Sequence, residues 1–153
     1  MQIRRFTLAD ARATHAIFRE AVHHGTCAFY TPKQREAWAP NAEMPDAWPD
    51  RMADQITYVA EGPDGLEGFF ALNHDGHLDM AYVRPRQMGK GLAKRLYDAC
   101  LADPAAAGLR RLDTEASHLS RRFFEKEGWD VLREQEIERF GVKLTNFRME
   151  KRF

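Results

Sequence analysis

A stretch in the middle of the chain decides the fold: residues 78–100 are LDMAYVRPRQMGKGLAKRLYDAC. The segment His77–Val83 predicts an apolar strand. The segment from Gly89 to about Ala102 predicts a helix, because Leu92 and Leu96 begin an apolar stripe at helical spacing. This part of the chain therefore predicts a strand, a glycine-rich loop and a helix in succession.

The loop between this strand and helix has features of an anion site. Gly89, Gly91 and Ala93 place small residues where backbone amides would approach a ligand. The unpaired amides of a first helical turn and the positive end of the helix dipole favour a phosphate there. A solvated glycine-rich turn has the same spacing, so the loop alone leaves both interpretations open.

Two common nucleotide-binding motifs do not fit the loop. A P-loop needs Ser or Thr after Gly-Lys, but Gly89-Lys90 is followed by Gly91. A dinucleotide fingerprint needs a third small residue where this chain has Lys94. The spacing excludes both motifs.

Sequence patterns predict regular elements over most of the remaining chain. Further strands are predicted at Gln2–Phe6, Thr57–Glu61, Glu67–Asn73, Arg110–Thr114, Asp130–Glu138 and Val142–Glu150. Further helices are predicted from Thr7 to about His24, from Thr31 to near Trp38, and from Ser117 to Gly128. Three prolines between Pro40 and Pro49 predict a loop without regular structure.

Composition limits the classes of partner. A length of 153 residues predicts a single domain over residues 1–153. The 23 Lys and Arg balance the 23 Asp and Glu, which argues against a nucleic acid or an anionic membrane surface as the partner. With no signal-peptide pattern at the N-terminus and no long apolar stretch, we expect a cytoplasmic protein.

Cysteine and histidine spacing predicts neither a disulfide framework nor a metal site. Cys27 and Cys100 lack any paired motif, so reduced thiols are expected. His23 and His24 are adjacent on a helix and point about 100° apart, which is unsuited to one shared metal ion.

The central stretch resembles the cofactor signature of the GNAT N-acetyltransferases, Gln/Arg-x-x-Gly-x-Gly/Ala after a Val-x-Pro strand end. Val83-Arg84-Pro85 and the loop that follows carry the likeness, and Gly91 and Ala93 match the pattern. Other segments also agree with this family, among them Tyr30-Thr31-Pro32, Thr114–Ser117, Phe123–Trp129 and Thr145–Met149. The chain is identified as a member of this family and resembles a group of small bacterial GNAT proteins.

The resemblance implies an α/β (α+β) GNAT fold. Such a fold has a mixed, mostly antiparallel sheet of six or seven strands, splayed central parallel strands and about four flanking helices. The strands near Met80–Val83 and Arg110–Thr114 would splay, and the pantetheine of acetyl-CoA would lie between them. The backbone N–H of Val83 would face the oxyanion that forms during acyl transfer.

The resemblance also assigns cofactor contacts, although the chain departs from the family at two positions. The implied contacts are Ala81, Tyr82, Val83, Met88, Gly89, Lys90, Gly91, Leu92, Ala93, Lys94, Ser117 and Phe124. Met88 stands where Gln or Arg is usual, so a side-chain contact to phosphate is lost unless Arg86 or Gln87 replaces it. Phe124 stands where many members have a Tyr that protonates the departing thiolate, a step for which water or Ser120 is the substitute.

An amine acceptor needs a base, because an aliphatic amine with a pKa of about 10.4 is protonated at neutral pH. Asp79 and Glu115 are the two candidates for this base, and each is equally explained as a solvated or ion-paired charge. Tyr30 and Trp38 follow the first helix, where the family forms its acceptor pocket, although ordinary packing also explains them. His23 is a further candidate for that pocket, with an exposed helix end as its alternative.

The function expected from these features is transfer of an acetyl group from acetyl-CoA, without a metal, to a primary amine of a small molecule or peptide. Direct transfer within a ternary complex is the expected mechanism. The alternative is a non-catalytic acyl-CoA-binding regulatory module, which the departures at Met88 and Phe124 motivate. The acceptor and the oligomeric state stay open, and a homodimer is suggested by family analogy alone.

Overall fold

Seven strands and five α-helices make up the computed structural model, which describes residues 1–153. The strands are β1 (Gln2–Arg5), β2 (Ile56–Gly62), β3 (Gly65–Leu72), β4 (His77–Val83), β5 (Arg111–Ala116), β6 (Asp130–Arg139) and β7 (Val142–Arg152). The helices are α1 (Ala11–Gly25), α2 (Pro32–Trp38), α3 (Trp48–Ala53), α4 (Leu92–Ala102) and α5 (Ser120–Lys126). None of these helices combines the length and the apolar composition that a membrane span requires.

All seven strands belong to one sheet, in the order β1-β2-β3-β4-β5-β7-β6. Every neighbouring pair is antiparallel except β4 and β5, which are parallel. These two strands pair only at His77 with Asp113 and at Leu78 with Thr114, and then diverge. The predicted mixed sheet with splayed central parallel strands is therefore confirmed.

An irregularity in β4 lies at the point where the two strands separate. Ala71 of β3 pairs with Met80, and Leu72 pairs with Leu78, so Asp79 is an extra residue in β4. A bulge of this kind bends and twists its strand. The bulge accordingly coincides with the end of the pairing between β4 and β5.

Apolar side chains cover both faces of the sheet because successive strand residues point to opposite faces. On β3, Phe70 and Leu72 pack in the larger core, with Leu96 of α4. Phe69 and Ala71 face the other way and belong to the core that α1 and α3 cover. Helices therefore lie on both faces of the sheet. The edges of β4 and β5 that face each other beyond the point of divergence lie between these two layers of helices.

Two predicted boundaries are wrong for local reasons. The helix predicted from Gly89 begins at Leu92, because Gly89 and Gly91 have φ values of +76° and +82° and so cannot continue an α-helix. The predicted proline-rich loop ends early, since α3 begins at Trp48. Its Pro49 lies in the first turn, where a helix needs no backbone N–H.

Candidate functional site

A cleft of about 420 Å³ opens where β4 and β5 diverge. Most of the cofactor contacts expected from the sequence line it, namely Ala81, Tyr82, Val83, Met88, Gly89, Gly91, Leu92, Ala93, Lys94, Ser117 and Phe124. Lys90 is the exception: it lies outside the lining, and its backbone N–H donates to the carbonyl of Gln87 at 3.3 Å. The cleft therefore brings together residues from β4, the glycine-rich loop, α4 and α5.

The edge of β4 offers free backbone donors to this cleft. Arg84 donates its N–H to the Glu67 carbonyl of β3 at 2.8 Å. Because backbone groups alternate along a strand, the N–H groups of Ala81 and Val83 point to the opposite edge. Since β5 pairs with β4 only as far as Leu78, those two amides face the cleft without a strand partner.

The glycine-rich loop also leaves amides free. The N–H groups of Gly89 and Gly91 make no backbone hydrogen bond, and those of the first turn of α4 lack an intrahelical acceptor. A Cβ at either glycine would have no atom within 4 Å. The loop therefore presents donors to open space, an arrangement that suits a phosphate group.

Two of the cationic side chains near the loop, those of Lys94 and Arg86, are already paired. Lys94 contacts Glu127 at 2.8 Å and Asp98 at 2.9 Å, and hydrogen bonds to these two carboxylates raise the pKa of Lys94. Arg86, a candidate to replace the missing Gln or Arg, instead contacts the buried carboxylate of Glu67 at 2.7 Å. Lys90 in the loop forms no salt bridge within 4.0 Å, so an anion there would depend on the backbone amides and on the charge of Lys90.

Phe124 and Ser117 lie on the α5 side of the cleft. Phe124 is 1% exposed and packs against Trp129, with ring centroids 4.9 Å apart. The hydroxyl of Ser117 accepts the N–H of Ser120 at 3.0 Å, so it stabilises the start of α5. The hydroxyl of Ser120 contacts that of Ser117 at 3.1 Å and is the hydroxyl of α5 that lines the cleft.

A second pocket, called here the acceptor pocket, has a volume of about 300 Å³. Five aromatic residues form part of its wall, beside polar and charged ones: Phe18, Tyr30, Trp38, Trp48 and Tyr82. It shares six lining residues with the cleft, which are Trp38, Leu78, Asp79, Tyr82, Glu115 and Ser117. The two cavities therefore meet at the carboxylates of Asp79 and Glu115.

The predicted aromatic residues differ in their exposure to this pocket. Tyr30 is buried, and its hydroxyl donates to the Thr145 carbonyl at 2.7 Å and accepts the His118 N–H at 3.1 Å. Burial raises the pKa of Tyr30. Trp38 borders both cavities, and its ring lies 5.3 Å from that of Tyr30. Tyr30 thus forms a fixed wall, whereas Trp38 lies at the junction.

The negative charge of the Asp79 carboxylate is compensated by an ion pair with Arg51. Arg51 donates to it from Nη2 at 2.7 Å and from Nε at 2.9 Å, and Gln55 donates from Nε2 at 2.9 Å. Burial by itself would raise the pKa of Asp79, but these hydrogen bonds outweigh burial and lower it. A carboxylate stabilised in this way is a weak proton acceptor.

Glu115, the other carboxylate at the junction, is less constrained. Its side chain is 40% exposed and makes no hydrogen bond, and its nearest cation is Nη1 of Arg148 at 3.7 Å. Glu115 is therefore the less constrained of the two carboxylates where the cavities meet.

Polar side chains that the sequence analysis did not name as site residues also line the acceptor pocket. His77 Nδ1 lies 2.5 Å from Asp113 Oδ1, which leaves Nε2 as the free ring nitrogen. Its position two residues before Asp79 on the predicted strand was the one available signal, because regular alternation would place both side chains on one face. Arg51 and Arg139 also line the pocket, and nothing local in the sequence indicated either.

The sequence analysis gave His23 as a candidate for the acceptor pocket, but His23 lies outside the lining of that pocket. It lines a separate groove on α1, and its Nε2 forms a hydrogen bond with the Ala39 carbonyl at 2.8 Å. Ala39 belongs to the segment after α2 that borders the acceptor pocket, so His23 supports that segment from outside. No group of three or more His, Cys, Asp or Glu side chains in the structure is arranged to hold a metal ion.

Comparison with protein families identifies one match that covers most of the chain. A model described as acetyltransferase (GNAT) domain matches residues 26–151. N-acetyltransferase YafP of Escherichia coli (strain K12), described as uncharacterised, is 30% identical over 150 residues, which are 97% of this chain and 94% of that protein.

Solved structures agree with this match. The crystal structure of a GCN5-related N-acetyltransferase from Rhodopseudomonas palustris superposes with a TM-score of 0.91 at 30% identity, covering 99% of this chain and 95% of that one. PaiA N-acetyltransferase from Thermoplasma acidophilum, solved in complex with coenzyme A, gives a TM-score of 0.76 over 99% of this chain and 98% of that one. At 17% identity this second likeness concerns the fold alone.

Proposed function

Because this chain belongs to the GNAT acetyltransferase family, we propose that it transfers an acetyl group from acetyl-CoA to the primary amine of a small molecule or peptide. The observation that carries the proposal is the junction of the two cavities at Glu115. A cleft with free backbone donors there meets an aromatic pocket beside an available carboxylate. Residues 1–153 would act as one catalytic domain.

The free amides described above fit acetyl-CoA. The N–H groups of Ala81 and Val83 would bond pantetheine in place of the missing strand partner. The amides of Gly89, Gly91 and the first turn of α4 would bind the pyrophosphate. Bound acetyl-CoA supplies an activated thioester, and the N–H of Val83 would stabilise the oxyanion that develops on its carbonyl.

The transfer needs one base. In a ternary complex, Glu115 would remove a proton from the acceptor ammonium, and the freed amine would attack the thioester carbonyl. A carbon–nitrogen bond then forms and the carbon–sulfur bond breaks. The sulfur leaves as a thiolate, and the extra proton that the attacking nitrogen carries after bond formation passes through water to that thiolate. Since a thiol has a pKa of about 8.5, the thiolate can leave without the usual tyrosine at Phe124, and the loss of that acid slows the transfer without preventing it.

Glu115 is preferred to Asp79 for this step because of their hydrogen bonds. Asp79 accepts three hydrogen bonds from Arg51 and Gln55, and its pKa is lowered. Glu115 accepts none. We therefore assign Asp79 to positioning β4 and Arg51 at the junction.

The experiment is a screen of primary amines with acetyl-CoA, with release of free CoA as the measurement. We expect turnover with at least one amine class and a loss in kcat of roughly a hundredfold in Glu115→Gln. Glu136→Gln on the exposed strand β6 is the matched control and should keep wild-type turnover. If Asp79→Asn lost turnover and Glu115→Gln kept it, the base would be assigned wrongly.

The same screen separates the enzyme from a non-catalytic acyl-CoA-binding module. An enzyme that works through a ternary complex gives intersecting initial-velocity lines when both substrates are varied. Tight binding of acetyl-CoA by calorimetry, with no CoA release for any amine, would instead establish the binding module.

A further inference from the structure

One of the two arginines that line the acceptor pocket is not paired with a carboxylate. Asp79 neutralises Arg51 through contacts of 2.7 and 2.9 Å. Glu115, the other carboxylate of the pocket, makes no hydrogen bond, and the cation near it is Arg148 at 3.7 Å rather than Arg139. Arg139, the exposed last residue of β6, also lines the pocket, and its side chain makes no hydrogen bond and no salt bridge within 4.0 Å. One guanidinium in the pocket therefore has no anionic partner.

Arg139 lies on the exposed side of the pocket, and its charge acts on the hydroxyl of Tyr82 in the pocket wall. Burial raises the pKa of the Tyr82 hydroxyl, and the positive charges of Arg51 and Arg139 oppose that rise. Asp79 compensates Arg51, whereas nothing compensates Arg139. A guanidinium presents a planar fork of donors that matches a carboxylate, so the natural partner is a carboxylate on the ligand.

The remaining walls favour a small ligand with an apolar part. Phe18 and Trp48 stack with ring centroids 5.6 Å apart, and Phe18 meets the ring of Tyr82 at 5.1 Å. Ring faces of this kind pack against an apolar or aromatic substituent. The volume of about 300 Å³ is at the lower end for ligand pockets, which suits a single small molecule.

We propose that the acceptor is a small amino carboxylate, a molecule with both a primary amine and a carboxylate on an apolar framework. Its carboxylate binds Arg139, its apolar part packs on the aromatic wall, and its amine faces Glu115 at the junction with the cleft. This inference rests on the proposed acetyl transfer and names the substrate class for the same site.

Matched compounds test the role of the carboxylate. L-phenylalanine carries the carboxylate, L-phenylalaninamide carries a neutral carboxamide, and phenethylamine lacks both. The corresponding sets built on tryptophan and leucine extend the test to other apolar side chains. In steady-state CoA-release assays, we expect kcat/KM for at least one amino acid to exceed that of both analogues by roughly tenfold or more.

Variants of two arginines on β6 then assign the preference to Arg139. Arg139→Gln should bring the ratio between amino acid and amine close to one, and Arg139→Lys should give an intermediate ratio, because it keeps the charge and loses the fork. Arg133→Gln is the control: Arg133 lies on the same strand, contacts Gln135 and lies outside the pocket lining, so the wild-type ratio should persist.

Two results would overturn the inference while leaving acetyl transfer intact. One is that amines without a carboxylate are acetylated as efficiently as the matched amino acids in every set. The other is that Arg139→Gln leaves the preference for the amino acid unchanged. No CoA release with any primary amine, in these sets or in the wider screen, would instead overturn both proposals.

Discussion

At the scale of single residues, the glycine-rich loop depends on backbone conformations that other residues rarely adopt. Gly91 has a φ of +82°, and a Cβ there would project into open space beside the unpaired amides of the loop. Gly141, in the turn between β6 and β7, has a φ of +76° and equally open surroundings. The two glycines are matched in strain and differ in what we expect to bind beside them.

We therefore expect Gly91→Val to lose binding of acetyl-CoA as well as stability. The left-handed conformation should cost roughly 1–3 kcal/mol of unfolding free energy, and the new side chain would occupy the position of the pyrophosphate. The measurement is the rise in Tm that acetyl-CoA produces, which should disappear in this variant.

Gly141→Val is the control for this prediction. It should lose a similar amount of stability and keep the rise in Tm, because its turn lies outside the cleft lining. An undiminished rise in Gly91→Val would mean that the pyrophosphate binds elsewhere.

At the scale of elements, Asp79 joins α3 to the bulge of β4. Arg51 and Gln55, at and just after α3, both donate to it, so one carboxylate links a helix and a strand that are distant in sequence. The lowered pKa of Asp79 has a consequence for stability. A group whose pKa is lower in the folded than in the unfolded chain contributes stability above the unfolded value and loses it as the pH falls.

We expect Asp79→Asn to lower the unfolding free energy by about 1 kcal/mol at pH 7 and to flatten its pH dependence below about pH 4. The unfolded reference is about 3.9 for an aspartate, so the stabilisation of wild type should disappear as the pH falls through the lowered pKa of Asp79. Urea denaturation between pH 7 and pH 3 measures the difference between the two curves.

Asp64→Asn provides the comparison, since Asp64 lies in the exposed turn between β2 and β3 and makes no hydrogen bond. Its curve should parallel that of wild type. Parallel curves for Asp79→Asn and wild type would show that the contacts with Arg51 contribute nothing to folding.

At the scale of the whole molecule, two parts of the sheet meet along a short seam. β4 and β5 pair at two positions, and the buried hydroxyl of Thr114 adds a hydrogen bond to the Leu78 carbonyl at 2.8 Å. Beyond this seam the strands separate and the cleft begins. The seam therefore determines how far the cleft extends into the sheet.

We expect Thr114→Val to lower the unfolding free energy by about 1–2 kcal/mol, because it removes a buried hydrogen bond without changing volume. We also expect faster amide exchange at the seam, which hydrogen exchange can measure at the N–H of Asp113, bonded to the Gly76 carbonyl at 3.0 Å.

Thr57→Val is a matched variant away from the seam. The hydroxyl of Thr57 donates to the Met52 carbonyl at 2.6 Å and is equally buried. It should lose comparable stability with no selective change in the exchange of Asp113. Equal effects of both variants on that amide would show that the seam is not an independent unit.

Much of the fold was predictable because its signals are local. The strand His77–Val83 has the predicted bounds, and Thr31, the predicted start of a helix, caps α2 by accepting the Gln34 N–H at 3.2 Å. The start of α3 at Trp48 was missed, since prolines around it obscured a short helix. Trp48 is anchored by a hydrogen bond from its Nε1 to Thr14 Oγ1 at 3.0 Å, a contact between distant parts of the chain.

The sequence by itself determined the strand, glycine-rich loop and helix from Leu78 to Cys100, because backbone preference and periodicity depend on neighbours within a few residues. Only the tertiary structure decided the chemistry around that stretch: Asp79 is neutralised by Arg51, Glu115 stays available, and Arg139 reaches the acceptor pocket without a partner. These outcomes depend on which distant charges the folded sheet and helices bring together, and charge interactions depend on distance in space rather than along the chain.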